Sequence, residues 1–430
     1  TYLFEPIAKR LSIEGHEIHW IFQNKEFSVD KEFNSHFIPF PSKKTNDFKK
    51  DVAIEEIIKI DRQQNYFREM SPNYFYYYNK EIKTLLEKIQ PEIVFGEATA
   101  FHELLIINNC REKNILFLNP SSSRYPIGRF CFYLHDTLEP YLGSQEILKN
   151  EKAKEIINEI TNRKVTPDYM KLKKVSRKEK LKDKTLKLFS YIKGEKFNTP
   201  NPILKYKLEK QKKKNVINWD KISQSEVKDN SLLKVLYPLQ MQPEANIDVW
   251  GKKYRNQNEL IKEISKELPK DAVLYVKPNP KSKYELTDEL ILTLKNYNNI
   301  VPLHHNVKME NIFKKIDLVI TVTGTIAIEC ILSNKPVVTM IKTMNNSAKN
   351  CFYVESLDKE LSEIIQKIKL QKIDNLNNQE KIDFINILNT TSHEGKISDP
   401  FTDPTCVSKQ NIDNLANAFN TVINNYEHSN

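Results

Sequence analysis

Residues 316–338 read IDLVITVTGTIAIECILSNKPVV, and this stretch decides the fold. Asp317 to Val322 is a short apolar run rich in β-branched residues, the composition of a buried parallel strand. Thr323-Gly324-Thr325 breaks the run. Ile326, Ile328, Ile331 and Leu332 then recur at helical spacing as far as Ser333. Lys335-Pro336 ends the helix, and Val337-Val338 opens a second strand. The chain has 8 glycines in 430 residues, so a glycine at a strand-to-helix turn is informative. It lets backbone approach a ligand closely, and the start of the following helix offers N–H groups to a phosphate. Thr323 and Thr325 add hydroxyls. Glu329 lies one helical turn beyond Thr325, where it can accept from a hydroxyl-bearing group such as a ribose. The competing reading is a plain strand-to-helix turn without a ligand.

The same rhythm extends in both directions. Val235-Leu236-Tyr237 reads as a strand followed by the loop PLQMQPEANIDVWG. Tyr254 to Leu268 is a helix, Ala272 to Val276 a strand, and Lys277-Pro278-Asn279-Pro280 a loop. Ile300 to Leu303 is a short strand with His304-His305 after it. In the N-terminal half, Leu3, Ile7, Ala8 and Leu11 share a helix face, Gly15 stands where a helix ends, and His16 to Phe22 reads as a strand. Pro91 to Glu97 and Ile115 to Leu118 are further strands, separated by a helix over Ala98 to Lys113. The run Tyr74-Phe75-Tyr76-Tyr77-Tyr78 within a helical stretch reads as packing. Doubly wound sheets bind ligands beyond the carboxyl ends of their strands. Gly96-Glu97 stands there, as does Asn119 to Arg124, with Arg129 close behind.

The expected organisation is a Rossmann-like N-terminal domain over 1–135 and a helical, basic insertion over 136–231. A second Rossmann-like domain over 232–390 and a terminal loop and helix over 391–430 follow. Two such α/β domains predict a cleft between them that holds a ligand. The chain opens on Thr1 inside an apolar-periodic segment, so a first strand is expected to precede it. No run reaches the ~18 apolar residues of a membrane span. Cys110, Cys131, Cys330, Cys351 and Cys406 are scattered without CxxC spacing, which argues against a disulfide framework or a zinc site and favours a reducing cytoplasm. Net charge is +10, yet residues 163–214 alone hold 19 Lys and Arg against 5 Asp and Glu. The remainder of the chain is therefore mildly acidic. That segment reads as a solvated helical surface, as an anionic-membrane surface through Leu172, Val175, Leu186, Leu188, Phe189, Tyr191 and Ile192, or as a nucleic-acid site. No nucleic-acid motif supports the last, and no nucleic acid is expected as a partner.

The segments YPLQMQPE (237–244), VKPNP (276–280), His304-His305 and TGTIAIE (323–329) together resemble the donor half of GT-B glycosyltransferases. More closely, they resemble bacterial capsule and surface polysaccharide biosynthesis proteins, a group that includes capsule Kdo transferases. In that group a PLQ/PLH…QPE segment precedes a VKEHP-like loop and a TGT/SGT…E…GKPV segment. PIAKRLSIEGHEIHWI near the N-terminus is similar to the first helix–strand unit of such enzymes. Asn279 stands where the family pattern has His, so the charge at the donor phosphate falls to Lys277, or to His304 and His305. The resemblance implies a GT-B fold and donor binding by Gln240, Gln242, Glu244, Lys277, Asn279, Thr323, Gly324, Thr325 and Glu329. It also implies a catalytic carboxylate in the N-terminal half, for which Glu97 is the candidate. Arg124 and Arg129 are the candidates for acceptor binding. A nucleotide-sugar, CMP-Kdo or a related CMP-linked acid sugar, would be a substrate. The acceptor would be a glycan or lipid-linked glycan. No cofactor is expected, and no metal, since no DxD-like pair stands in a cleft loop. The alternatives are a CDP-polyol phosphotransferase or a nucleotide-sugar 2-epimerase of the same fold, or a non-enzymatic basic nucleic-acid-binding protein.

Overall fold

The computed structural model describes residues 2–24, 27–41, 50–67, 71–164, 177–192, 200–401 and 403–429. The chain divides into two units. The first takes the described residues of 1–148, 166–202 and 386–430, the second those of 149–165 and 203–385.

The chain enters the first unit with α1 (Phe4–Ile13), which ends at Gly15 with φ +100°. A left-handed residue at a helix end costs glycine little. Then follow β1 (His19–Phe22), β2 (Asn34–Phe37), α2 (Val52–Ile60) and α3 (Asn73–Ile89). Next come β3 (Ile93–Phe95), α4 (Phe101–Glu112), β4 (Leu116–Ser122) and β5 (Arg129–Leu134). β1 and β2 form a parallel pair, and β3 pairs in parallel with β4. β4 runs on to Ser122 because β5 pairs antiparallel with residues 118–122. The aromatic run on α3 is packing: Tyr74, Phe75 and Tyr78 are buried against Phe101.

Helix α5 (Asn150–Thr161) belongs to the second unit, α6 (Arg177–Ile192) to the first, and α7 (Pro202–Ile222) to the second from Ile203 onward. The single insertion expected over 136–231 is thus divided between the units. The physical reason is burial. α5 buries Ala153 and Ile160, and α7 sends Trp219 into the second core, where its Nε1 donates to Leu303 O at 2.8 Å. Leu172 and Val175 of the basic segment lie outside the described residues.

The second unit continues through β6 (Leu233–Pro238), α8 (Ala245–Asp248), α9 (Gln257–Glu267), β7 (Ala272–Lys277) and α10 (Asp288–Asn296). After these come β8 (Ile300–Pro302), α11 (Met309–Ile312), β9 (Leu318–Thr321), α12 (Ile326–Leu332), β10 (Val337–Thr339), β11 (Cys351–Tyr353) and α13 (Leu357–Lys369). Its six strands are all parallel, in the order β11-β10-β9-β6-β7-β8. Counted from β6, that is the doubly wound order 6-5-4-1-2-3 of dinucleotide-binding sheets. Val235, Leu274, Leu318 and Ile320 are fully buried at its centre.

Helix α14 (Asn378–Thr390) leads back to the first unit, which β12 (His393–Glu394) and α15 (Lys409–Ser429) complete. β12 pairs antiparallel with β5, so the sheet order is β12-β5-β4-β3. Leu415, Phe419 and Val422 of α15 share the first core with Ile7, Phe130 and Phe132.

Candidate functional site

In a doubly wound sheet the ligand crevice opens where the strand order reverses, beyond the carboxyl ends of the two central strands. Those strands are β6 and β9, and their loops are residues 239–244 and 322–325. The loops are tied together. Gln240 Nε2 donates to Thr321 Oγ1 at 3.2 Å, and Gly324 N–H donates to the same oxygen at 3.1 Å. Thr323 Oγ1 donates to Asn246 O at 3.1 Å, so it offers a ligand only lone pairs. A Cβ at residue 324 would stand 2.5 Å from Thr321 Oγ1. The turn's own packing therefore demands glycine, whatever binds there. Thr325 precedes α12 directly.

Behind these loops lies a buried amide network that sequence reasoning missed. Gln257 Oε1 accepts from Gln240 N at 2.8 Å and from Tyr237 Oη at 3.1 Å. Its Nε2 donates to Gln240 O and to Gln242 Oε1, both at 2.9 Å. Gln242 Nε2 in turn donates to Asp248 Oδ1 and Arg255 O, both at 2.9 Å. Both amide hydrogens of Gln242 are thus spent and the residue is buried. Gln240 is buried too and acts as the tie between loops. Glu244 is half-buried at the start of α8, its N–H donating to Asp248 Oδ2 at 3.0 Å. Nothing in the sequence marks Gln257 or Asp248, because hubs of buried networks have no periodicity of their own.

Lys277 is the last residue of β7 and pairs in register with Pro238, the last residue of β6. It is 4% exposed. Its Nζ donates to Pro278 O at 3.2 Å. Burial pulls its pKa down to about 8, because a low-dielectric surrounding disfavours the ammonium. Asn279 Oδ1 accepts from Lys281 N at 2.9 Å and its carbonyl from Ser282 N at 2.9 Å, so Asn279 shapes the turn and offers outward only its amide donors.

Glu329 departs from expectation. Arg163, just beyond α5, forms an ion pair with it, and the guanidinium also lies 4.7 Å from the centroid of Phe313. The carboxylate expected to receive a ribose is already held by a cation. The partners are 166 residues apart in sequence, too far for any local pattern to reveal.

In the first unit, Glu97 follows β3 and is exposed. Crowding by protein and the nearby Glu103 carboxylate raise its pKa, while the Thr99 hydroxyl and Arg62 oppose the shift. Thr99 Oγ1 lies 3.0 Å from Glu103 Oε2 and 3.3 Å from Glu97 Oε2. Glu103 is spent on the start of α4, accepting from Thr99 N at 2.9 Å and Ala100 N at 2.7 Å. His102 is pushed down to about 4, mainly by burial, so it is neutral at ordinary pH. Arg129 is buried. Its guanidinium donates to Ser392 Oγ, Ser144 Oγ and Ser392 O at 2.8 Å each and to Asn389 O at 3.1 Å, and it pairs with Glu146. A buried arginine with these contacts binds the first unit together and spends most of its donors there. Arg124 stays half-buried on the turn between β4 and β5.

Residues 144–346 match the model of the capsule polysaccharide biosynthesis protein family. The resemblance read from the motifs therefore holds, over the segment that carries the β6 and β9 loops. Among curated proteins no sequence matches the chain. Among solved structures, a β-Kdo 2,7-transferase from Thermosulfurimonas dismutans is 13% identical, with a TM-score of 0.35 over 89% of this chain and 94% of that one. A UDP-GlcNAc 2-epimerase from Methanocaldococcus jannaschii is 14% identical, with a TM-score of 0.29 over 90% of this chain and 96% of that one.

Proposed function

We propose that the chain is a glycosyltransferase of capsule polysaccharide assembly and that its second unit binds the nucleotide-activated sugar. The observation that carries this is the position of the loops 239–244 and 322–325. They stand at the switch point of a sheet with dinucleotide-binding strand order, joined through Thr321, within the family-matched segment. Lys277, one strand away, is a buried cation whose one acceptor among the described residues is Pro278 O. Burying such a group is costly, and an anion is the partner that would offset the cost. In transfer the sugar's bond to the nucleotide breaks and the phosphate leaves with the electron pair. The Lys277 ammonium, with N–H groups at the start of α12, would stabilise that charge. Glu97, with its raised pKa, would take the proton of the acceptor hydroxyl.

The motif resemblance favours a CMP-linked acid sugar as donor and a glycan or glycolipid as acceptor, with Arg124 the remaining cation on the acceptor side. Helix α6 supports contact with an anionic membrane surface. Leu181, Leu186, Leu188, Phe189 and Ile192 are exposed on it among lysines. None of the described helices is long and apolar enough to cross a membrane.

Isothermal titration of CMP, CDP and UDP into the protein and into Lys277→Met tests the donor site. Binding of at least one nucleotide by the parent, weakened about tenfold or more in the variant, is expected on the scale of a lost charge-assisted bond. No binding by the parent, or equal binding by both, would remove the reading.

A further inference from the structure

The end of α7 and the loop after β8 are fastened together on both flanks. Besides Trp219 on Leu303 O, Gln224 N donates to Pro302 O and His304 N to Gln224 O, each at 2.8 Å. Between these ties three side chains converge: Asp220 from α7, and His304 and His305 from the loop. All are half-buried, and one ligand atom of each lies within 4.8 Å of the others. Asp220 Oδ2 is 2.6 Å from His305 Nδ1 and 3.5 Å from His304 Nε2. The two imidazoles stack with centroids 4.9 Å apart. Asp220 Oδ1 accepts from His305 N–H at 3.3 Å.

Two observations point to a cation. His305 Nδ1 is buried and, despite its closeness to the carboxylate, has no aligned hydrogen-bond partner among the described residues. Asp220 forms no ion pair with a Lys or Arg among them; the groups that face it are the two imidazoles. With its proton on Nε2, the His305 ring turns the Nδ1 lone pair toward the same space as the Asp220 carboxylate oxygen.

We propose that Asp220, His304 and His305 form a site for one divalent transition-metal ion, with zinc the best match. Two imidazole nitrogens and one carboxylate oxygen suit a borderline cation of the zinc class, whereas magnesium and calcium demand oxygen ligands. Three protein ligands leave at least one coordination position open. It stands at the carboxyl end of β8, the ligand-binding end of the sheet. The backbone ties on either flank hold the three ligands before any ion arrives, which lowers the entropy cost of binding. His304 Nδ1 accepts from Asn306 N at 3.2 Å. Coordination through Nε2 requires the ring proton on Nδ1, so this long contact is given up when the ion binds. The sequence holds no CxxC or DxD spacing that would mark such a site. Asp220 lies 84 residues before His304, and only the fold joins them.

The test is calorimetric titration of zinc, with magnesium as control, into metal-stripped protein and into Asp220→Asn and His305→Ala. One equivalent of zinc and no magnesium is expected in the parent, with affinity reduced about tenfold or more in each variant. The first unit holds another histidine pair, His19 and His36 at 2.8 Å beside Glu17, which both variants leave intact. Zinc uptake unchanged in the variants would place the ion elsewhere and overturn the proposal. So would absence of uptake by the parent. Because either substitution could loosen α7 from the loop, cobalt(II) added to the unaltered protein gives a second reading. Visible ligand-field bands that excess zinc abolishes are expected, and a bare hexaaqua spectrum would also overturn the site.

Discussion

At the scale of single residues, Lys277 and Glu97 carry the proposed chemistry. An unfolded lysine holds its proton up to about pH 10.5, whereas Lys277 in the folded protein releases it near 8. Between those values the unfolded chain binds more protons, so this residue makes stability rise with pH. Below about 8 both states are charged and the folded state bears the full cost of the buried ammonium. Lys277→Met removes the charge at similar length. It should raise the melting temperature at neutral pH while weakening nucleotide binding. Parent binding should also weaken as pH rises through about 8, and the variant should lack that dependence. Titrations at ~pH 7 and ~pH 9 with a melting curve at each check this; a less stable variant that binds nucleotide normally would show the lysine to be structural. Glu97→Gln keeps the shape and loses the base. Its described side-chain hydrogen bond is the 3.3 Å contact with Thr99, so folding should survive. Turnover should fall by ~10²–10⁴, and near-normal turnover would clear Glu97. The places of both residues were legible in the sequence, because Glu97 ends one predicted strand and Lys277 opens the loop after another. The contacts that hold Arg129 were not, since its partners Ser392 and Asn389 lie more than 250 residues away.

Elements carry two further expectations. Helix α5 is tied to α12 by the Arg163–Glu329 pair, whose side chains are 22% and 14% exposed. Arg163→Ala takes the guanidinium away from a half-buried carboxylate and should cost roughly 1–3 kcal/mol, read by denaturant unfolding. A double-mutant cycle with Glu329→Gln should show coupling; strict additivity would mean that the pair contributes nothing. Helix α6 presents Leu186, Phe189 and Ile192 to solvent at 56%, 56% and 70% exposure, interleaved with Lys182, Lys184 and Lys187. Each basic residue near an anionic leaflet is worth on the order of 1 kcal/mol, screened by salt. Sedimentation with anionic vesicles should therefore be strong at low salt and weak at high salt. Replacing those three lysines with Gln should diminish it, while nucleotide binding stays unchanged. Binding to neutral vesicles as strong as to anionic ones would refute the electrostatic reading. The apolar and basic interleaving was visible in the sequence, but the exposure of its apolar side chains on α6 was not.

At the scale of the whole molecule, the chain leaves its first unit and returns to it. Phe419 of α15 packs edge-on against Phe132 with ring centroids 4.8 Å apart, and lies 4.7 Å from the ring of Phe95. Truncation before α15 should unfold the first unit and abolish transfer, while the second unit keeps its nucleotide affinity, because Leu415, Phe419 and Val422 fill the first core alone. Loss of nucleotide binding in the truncated chain, or retained transfer, would contradict this. By itself the sequence determined the alternation of strands and helices, the turns that end them and the loops at the carboxyl ends of β6, β7 and β9. Local propensity and apolar period act over a few residues, and those features are local. Only the tertiary structure decided that six strands take the order β11-β10-β9-β6-β7-β8, that the basic stretch is shared between units, and that Glu329 faces Arg163. Those facts depend on contacts between residues far apart in the chain, whose energies appear only once burial has brought them together.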